Sequence, residues 1–389
     1  MPKRLILCFA SWYLPGFYAG GPVRSLARLC EWLQDDFEFR VVTRDRDLGC
    51  DEPYPGRADG QWYPEGEALV TYVSPPHWLP LRFLRLVKSC RPDLLYFHSF
   101  LDPALVITPL LLRRLGLIPP TIPVLIAPRG EFSPGALRLK SGRKKAWFAL
   151  ARLLGVYRNV VWQATDDKEV VLIRAHWGDK VRVLIAPNLP PRVLDTGMPA
   201  RRAKQGGVLR LAFLSRISPM KNLRGALEVL AQVKVPVSLD IYGTKEDMPY
   251  WNECEREMGR LPAHITASYQ GVVLPDDVLT VLAAYDAFLL PTLGENFGHV
   301  ILEALLAGSL LLISDRTPWR QLEARCVGFD LPVEDPRAMI AAIERLAAMD
   351  DAEFQQWSRN ARECGLQYSR NGEMASATRQ VIESAMAAR

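Results

Sequence analysis

The sequence has no Cys-x-x-Cys pair, and its seven cysteines and five histidines fall at no metal-ligand spacing. An odd number of cysteines, at positions 8, 30, 50, 90, 254, 326 and 364, argues against a disulfide framework and for reduced core residues in a cytoplasmic protein. No uncharged run reaches the roughly 18 to 20 apolar residues that cross a bilayer. The nearest, Leu115 to Pro128, is interrupted by Pro119, Pro120 and Pro123, so no transmembrane helix is expected. The apolar run after Lys3 and Arg4 is short, is broken by Trp12, Tyr13 and Pro15, and lacks a small-residue cleavage pattern, which makes it a first buried strand rather than a signal peptide. There is no GxGxxG dinucleotide fingerprint and no nucleic-acid recognition motif, and a net charge of +5 is too modest to favour nucleic acid as a partner.

What remains is an ordinary globular composition, 49% hydrophobic and 23% charged, in 389 residues, a length that suggests two domains or three. Charge is unevenly shared. Up to Pro187 there are 26 Lys and Arg against 18 Asp and Glu, or +8; from Asn188 there are 22 against 25, or −3. Between Phe132 and Thr165 there is no acid at all, while Arg138, Lys140, Arg143, Lys144, Lys145, Arg152 and Arg158 surround Trp147, Phe148, Leu150, Leu153 and Leu154. Such a basic amphipathic helix over about 138–158 fits an anionic membrane surface, or else is a solvated face over a core stripe.

Strands and helices alternate along the whole chain. Leu5 to Ala10, Phe39 to Thr43, Leu69 to Val73, Leu94 to Phe97, Val124 to Ala127, Val160 to Ala164 and Val181 to Ile185 read as strands, with Asp45 to Glu67 as a long loop. After a polar connector, Asp195 to Gly207, the pattern resumes with Leu209 to Leu214, Val237 to Tyr242, Ile265 to Tyr269, Ala287 to Leu290 and Leu310 to Ile313. Asp276 or Asp277 is expected to cap a helix running through Tyr285, and the last helix covers about Glu373 to Met386. The alternation predicts an α/β protein with two doubly wound parallel sheets.

Candidate functional residues gather where strands end. Gly20 and Gly21 precede a helix with Pro22 at its first position, either a plain tight turn or a site of close approach to a ligand. His98 follows a buried strand and so stands at the carboxyl edge of its sheet, where open α/β sheets bind ligands. Arg129 sits in the loop after the next strand. Arg216 and Lys221 bracket a loop at a helix N-terminus, where two cations and oriented N–H groups form a diphosphate clamp. The strand ending at Leu290 leads into a glycine-containing loop with Glu295 and Asn296 and then a helix from about Phe297 or Gly298. That strand, loop and helix leave orphan N–H groups of Asn296, Phe297 and Gly298 beside a positive dipole end, a place for an anion. Glu295 and Glu303 flank it; as hydrogen-bond acceptors they suit sugar and ribose hydroxyls rather than phosphate, unless Glu303 is merely a solvated helix acid and Glu295 a loop acid.

The two glutamates, with seven residues between them in ENFGHVILEALLAG, resemble the paired-glutamate signature of the retaining nucleotide-sugar glycosyltransferases of family 4, which have the GT-B fold. The following SDRTPW resembles a subgroup of bacterial capsule, exopolysaccharide and lipopolysaccharide synthesis. The resemblance implies two Rossmann-like domains facing across a cleft: 1–190 for the acceptor and 191–369 for the donor, with 370–389 crossing back onto the first. It implies a UDP- or GDP-sugar donor, no cofactor and no metal, with Arg216 and Lys221 on the diphosphate, Glu303 on the ribose and Glu295 on the donor sugar. It also places Gly20 and Gly21 by the donor phosphates or the transferred sugar, and His98 along the active-site cleft. Arg129 stands where many members carry histidine, so it either meets an anionic acceptor phosphate or marks different sugar contacts. The acceptor implied is a glycan or a polyprenyl-diphosphate-linked glycan at the inner membrane surface. Two rivals share parts of the pattern: a GT-B sugar-nucleotide epimerase or phosphorylase, which needs no glycan acceptor, and a non-catalytic carbohydrate-binding protein, which does not need Arg216, Lys221 and both glutamates together.

Overall fold

The computed structural model describes residues 3–74, 80–132, 141–192, 203–204 and 206–387. The chain divides into two compact units, Met1–Arg192 with Asn371–Arg389, and Val193–Arg370.

The first unit is built on β1 (Arg4–Phe9), β2 (Phe37–Arg44), β3 (Trp62–Glu65), β4 (Ala68–Val73), β5 (Leu94–Phe97), β6 (Val124–Ile126), β7 (Val161–Ala164) and β8 (Arg182–Ile185), in the order β3-β4-β2-β1-β5-β6-β7-β8. The central strands are continuous apolar runs because both faces are covered. In β1, Leu5, Leu7 and Phe9 enter one core and Ile6 and Cys8 the other; in β5, Leu95 and Phe97 part in the same way from Leu94 and Tyr96. The helix Glu373–Met386 closes the second of these cores with Ala375, Val381, Ile382 and Ala385, flanked by ion pairs Arg379 to Asp36 (2.7 Å) and Arg4 to Glu383 (2.9 Å).

The segment Asp45 to Glu67 is not wholly loop, as its composition implied. It contains β3, which pairs antiparallel with β4 around Gly66 at φ 57°. Pro64 lies within it, and an edge strand tolerates the missing donor.

The second unit holds β9 (Leu209–Leu214), β10 (Val237–Tyr242), β11 (Ile265–Gly271), β12 (Ala287–Leu290), β13 (Leu310–Ser314) and β14 (Gly328–Leu331), all parallel in the order β11-β10-β9-β12-β13-β14. Numbered within the unit this is 3-2-1-4-5-6, the doubly wound order, and the chain changes direction between β9 and β12. The corresponding crevice in the first unit is between β1 and β5.

The helix expected to run through Tyr285 is shorter: a single turn at Pro275–Asp277 leads into Val278–Ala283, and neither Asp277 nor another side chain caps it. Most of the Asp195 to Gly207 connector, together with Ser133, Pro134, Arg138 and Lys140, lies outside the described residues, as do the side chains of Arg143 and Lys145. The basic helix is Ser141–Leu154; Phe148 and Ala151 are buried, but Leu150, Leu153 and Leu154 are exposed, so the leucines are not core. Among the described residues no helix is long and apolar enough to cross a membrane.

Candidate active site

In the second unit the loops leaving β9 and β12 stand on either side of the switch point, and hydrogen bonds staple them together. Leu293 N–H and the Thr292 hydroxyl both donate to the Met220 carbonyl, at 2.8 and 3.0 Å, and Asn222 Nδ2 donates to the Pro291 carbonyl at 3.0 Å. Asn222 adopts the left-handed region, φ 57° and ψ 39°, which turns the chain from the short turn Pro219–Lys221 into the helix Leu223–Leu230. Held in this way, Lys221 Nζ donates to Glu295 Oε2, with the two side chains 12% and 18% exposed.

Arg216 does not share that partner. Its Nη1 donates to Glu246 Oε1 at 2.8 Å, in the loop after β10. The backbones approach closely here: a Cβ on Gly243, at φ 132°, would lie 1.8 Å from the Ser215 carbonyl oxygen. The two cations expected to bracket one space are thus both held by carboxylates, and Glu246 is a partner that sequence reading did not select.

Glu295 is anchored by its own N–H, which donates to the Arg316 carbonyl at 2.9 Å. The helix starts at His299 rather than at Phe297 or Gly298 and runs to Leu306. Gly298 precedes it at φ 78° and ψ 65°, and a Cβ there would meet Ile301 Cδ1 at 2.6 Å and Glu295 Cγ at 3.1 Å. The N–H groups of Gly298, His299 and Val300 fall outside the helical ladder, whose first donors are Ile301 and Leu302 to the Gly298 carbonyl.

Phe297 is buried among His299, Trp319 and Tyr368, with ring centroids 4.7, 5.8 and 5.8 Å away, and its carbonyl accepts from Trp319 Nε1 at 2.6 Å. It anchors the loop with its side chain and can offer a ligand only its backbone. Asn296 lies between the two anchors. Glu303 is 9% exposed between Leu302 and Ala304, both 0%, so it is not a solvated helix acid.

The first unit carries its own group at the carboxyl edge of β1, β5 and β6. His98 N–H donates to the Phe9 carbonyl at 2.9 Å, extending the ladder between β5 and β1 by one residue. Its ring is buried 4.3 Å from that of Tyr96, and neither ring nitrogen has a hydrogen-bond partner among the described residues. Burial first, and the Arg129 guanidinium second, hold its pKa well below the usual histidine value, so the ring is neutral at pH 7. Arg129, at φ 52°, donates from Nη1 to Asn188 Oδ1 at 2.6 Å and from Nη2 to the Tyr96 hydroxyl at 3.3 Å. Gly20, at φ 67°, precedes the helix Gly21–Leu33, and Gly21 is exposed at its first position.

Several acids that sequence reading passed over build these loops. Glu131 accepts from the Ser99 hydroxyl at 2.7 Å and Phe100 N–H at 2.8 Å, and burial pushes its pKa up to about 7. Glu169 accepts from Gly130 N–H at 2.7 Å and from the N–H and hydroxyl of Thr165, both at 2.8 Å. Asp47 holds the loop before Gly20 by accepting from Phe17 and Tyr18 N–H at 2.7 and 2.9 Å. Their partners lie as far as 39 residues away in the chain, so no local pattern marks them. Among the described residues no three His, Cys, Asp or Glu side chains converge so as to hold a metal ion.

Residues 198–364 match the family model for Glycosyl transferases group 1. No curated protein matches the chain in sequence. Solved structures match over its whole length. A sucrose-phosphate synthase from Thermosynechococcus elongatus has 16% identity and a TM-score of 0.73, covering 100% of both chains. HepE of Anabaena, in complex with UDP and glucose, has 15% identity and a TM-score of 0.67 over 98% of this chain and 99% of its own. WaaG, a glycosyltransferase involved in lipopolysaccharide biosynthesis, has 14% identity and a TM-score of 0.63 over 98% of each. Likeness of this extent fixes the fold: α/β, with parallel sheets in two Rossmann-like domains, the GT-B architecture.

Proposed function

We propose that this chain, a glycosyltransferase whose residues 198–364 carry the group 1 domain, moves a sugar from a nucleoside-diphosphate sugar to a glycan or polyprenyl-diphosphate-linked acceptor with retention of anomeric configuration. The bond between the anomeric carbon and the β-phosphate oxygen breaks, and a bond from the acceptor hydroxyl oxygen to that carbon forms on the same face. The hydroxyl proton passes to the departing phosphate, leaving a glycoside and a nucleoside diphosphate.

The observation that carries this reading is the pairing of Lys221 with Glu295 at the switch point, beside the N-terminus of the helix His299–Leu306. Lys221, Arg216 and the N–H groups of Asn296, Phe297 and Gly298 take up the negative charge that develops on the leaving diphosphate, and no metal or other cofactor is required. Glu303 holds the ribose hydroxyls and Glu295 the donor sugar, keeping the Lys221 ammonium in position meanwhile. Solved relatives of the same fold support a UDP-sugar donor, HepE having been seen with UDP and glucose.

Gly20 and Gly21 approach the donor phosphates or the transferred sugar and His98 lines the active-site cleft, while Arg129 either meets an anionic acceptor phosphate or makes contacts to the donor sugar. The setting we infer is bacterial surface polysaccharide synthesis at the cytoplasmic face of the inner membrane, which the protein meets peripherally through the basic helix of about 138–158.

The test is titration with UDP and GDP by calorimetry in chelator, alongside Glu303→Ala and Lys221→Ala. Metal-free binding of one nucleotide, weakened by both substitutions, is expected. Binding of neither nucleotide, or binding indifferent to both changes, overturns the assignment.

A further inference from the structure

An open pocket of 1220 Å³ lies where β6, β7 and β8 begin, lined by Val124, Val161 and Arg182, the first residues of those strands. It is at the opposite edge of the sheet from His98 and Arg129. Five cations from three segments line it, Arg113, Arg152 with Arg158, and Lys180 with Arg182, and no acid does. Among the described residues none of the five forms an ion pair, whereas arginines elsewhere do, as Arg44 with Asp102 at 2.6 Å and Arg210 with Asp286 at 2.7 Å.

Carbonyls hold three of the five. Arg113 Nη2 donates to Pro120 at 2.9 Å, Arg152 Nε to His176 at 2.9 Å and Arg182 Nη2 to Ser384 at 3.2 Å. A carbonyl fixes the direction of a guanidinium without cancelling its charge, so the pocket is left with oriented, uncompensated donors of the kind that take a phosphate.

Beside it the surface is apolar. Leu115 and Leu117 are 72% and 56% exposed, and Leu150, Leu153 and Leu154 are 46%, 83% and 42% exposed. The last three form a stripe at i, i+3 and i+4 on the helix Ser141–Leu154, distinct from the buried Phe148 and Ala151. Arg114 Nε donates to the Leu154 carbonyl at 3.1 Å, which ties the segment of Leu115 and Leu117 to that of the helical leucines. Clustered exposed leucines next to unpaired cations are the two halves of an interfacial membrane contact, charge for the headgroups and apolar side chains for the acyl boundary.

We propose that this pocket is a headgroup site for an anionic phospholipid, with the five leucines entering the bilayer beside it. This deepens the membrane contact proposed above and rests on it, while moving the contact from a run of basic residues to a built site drawn from several segments of the fold.

The experiment is flotation of the full chain with phosphatidylcholine vesicles with and without phosphatidylglycerol. The wild type is expected to float only with phosphatidylglycerol. Lys180→Gln with Arg182→Gln should lower that partition about 25-fold, each cation near an anionic surface counting on the order of 1 kcal/mol, or about fivefold. Leu115→Ser with Leu153→Ser should lower it on the same vesicles, and neither pair should change nucleotide affinity by calorimetry. If the pocket variants float like the wild type while Arg143→Gln with Lys145→Gln does not, the membrane contact stands and the pocket assignment falls. If the wild type ignores phosphatidylglycerol, both fall; if it ignores vesicles but binds soluble glycerol phosphate by calorimetry, the pocket is a free-phosphate site and the lipid assignment is overturned.

Discussion

The Lys221 ammonium donates to the Glu295 carboxylate across the boundary between the loops of β9 and β12, joining two residues 74 positions apart. The pair bears on how a donor would enter. A diphosphate arriving at the helix N-terminus must share an ammonium that already has a carboxylate partner, and Glu295 then sets both the position of Lys221 and the charge that Lys221 has left to offer.

Glu295→Gln should therefore separate binding from transfer. With the carboxylate neutralised, Lys221 is released to the phosphates, so affinity for the free nucleoside diphosphate is expected to stay or rise. Transfer should fall on the order of a hundredfold, the size typical of losing one group that supports the transition state. Calorimetry and a transfer assay on the same variant check both halves.

Gly298→Ala should damage the site through the backbone. The left-handed conformation costs an ordinary residue about 1 to 2 kcal/mol, and the added methyl would strike Ile301 Cδ1 at 2.6 Å and crowd Glu295 Cγ at 3.1 Å. A lowered thermal midpoint together with weakened nucleotide binding is the expected result. An unchanged midpoint would contradict it.

Acid should destabilise the protein partly through His98. Its folded pKa lies well below the usual value near 6.5, so on falling pH the unfolded chain takes a proton that the native ring refuses. The stability it contributes is present above about pH 6.5 and is lost below it at roughly 1.4 kcal/mol per pH unit. In His98→Gln, urea unfolding at about pH 8 and about pH 5.5 should differ less than in the wild type by on the order of 1 kcal/mol.

Glu131 works in the opposite direction. Burial raises its folded pKa from 4.5 to about 7, so its contribution is full below the unfolded value and is lost as pH rises through about 7. Glu131→Gln should flatten the decline in stability between about pH 5 and pH 7, opposite in sign to the effect of the His98 variant. Comparing the two variants across the same pH series separates them.

Deleting residues 371–389 should destabilise the first unit. The terminal helix buries Val381, Ile382 and Ala385 in that core, at 5%, 0% and 0% exposure, and a fully buried branched side chain contributes roughly 1.5 to 3 kcal/mol. The truncated chain is expected to bind a dye specific for exposed apolar surface; a chain that stays dye-free with an unchanged midpoint would count against the packing described.

Continuous apolar runs such as Leu94 to Phe97 and Leu310 to Ile313 were legible as buried strands because a parallel sheet covers both faces of each strand. Gly298 and the glutamate pair were legible because one loop and one helix carry them. β3 was hidden, since an edge strand needs no apolar run and Pro64 argues against one. The leucines of the basic helix were misleading in another way: their spacing is as good for a core stripe as for a surface one, and only the packing of Phe148 and Ala151 shows which stripe went inside.

The sequence by itself determined the alternation of strands and helices, the glycine-containing turns at their ends and the residue types available there, because these follow from periodicity and backbone preference within a few residues. Tertiary structure alone decided the partnerships. Lys221 with Glu295, Arg216 with Glu246, Glu131 with Ser99 and Glu169 with Gly130 join segments 30 to 74 residues apart. Strand order brings them together, and strand order is a property of the whole sheet, with no trace in the few residues around each charge.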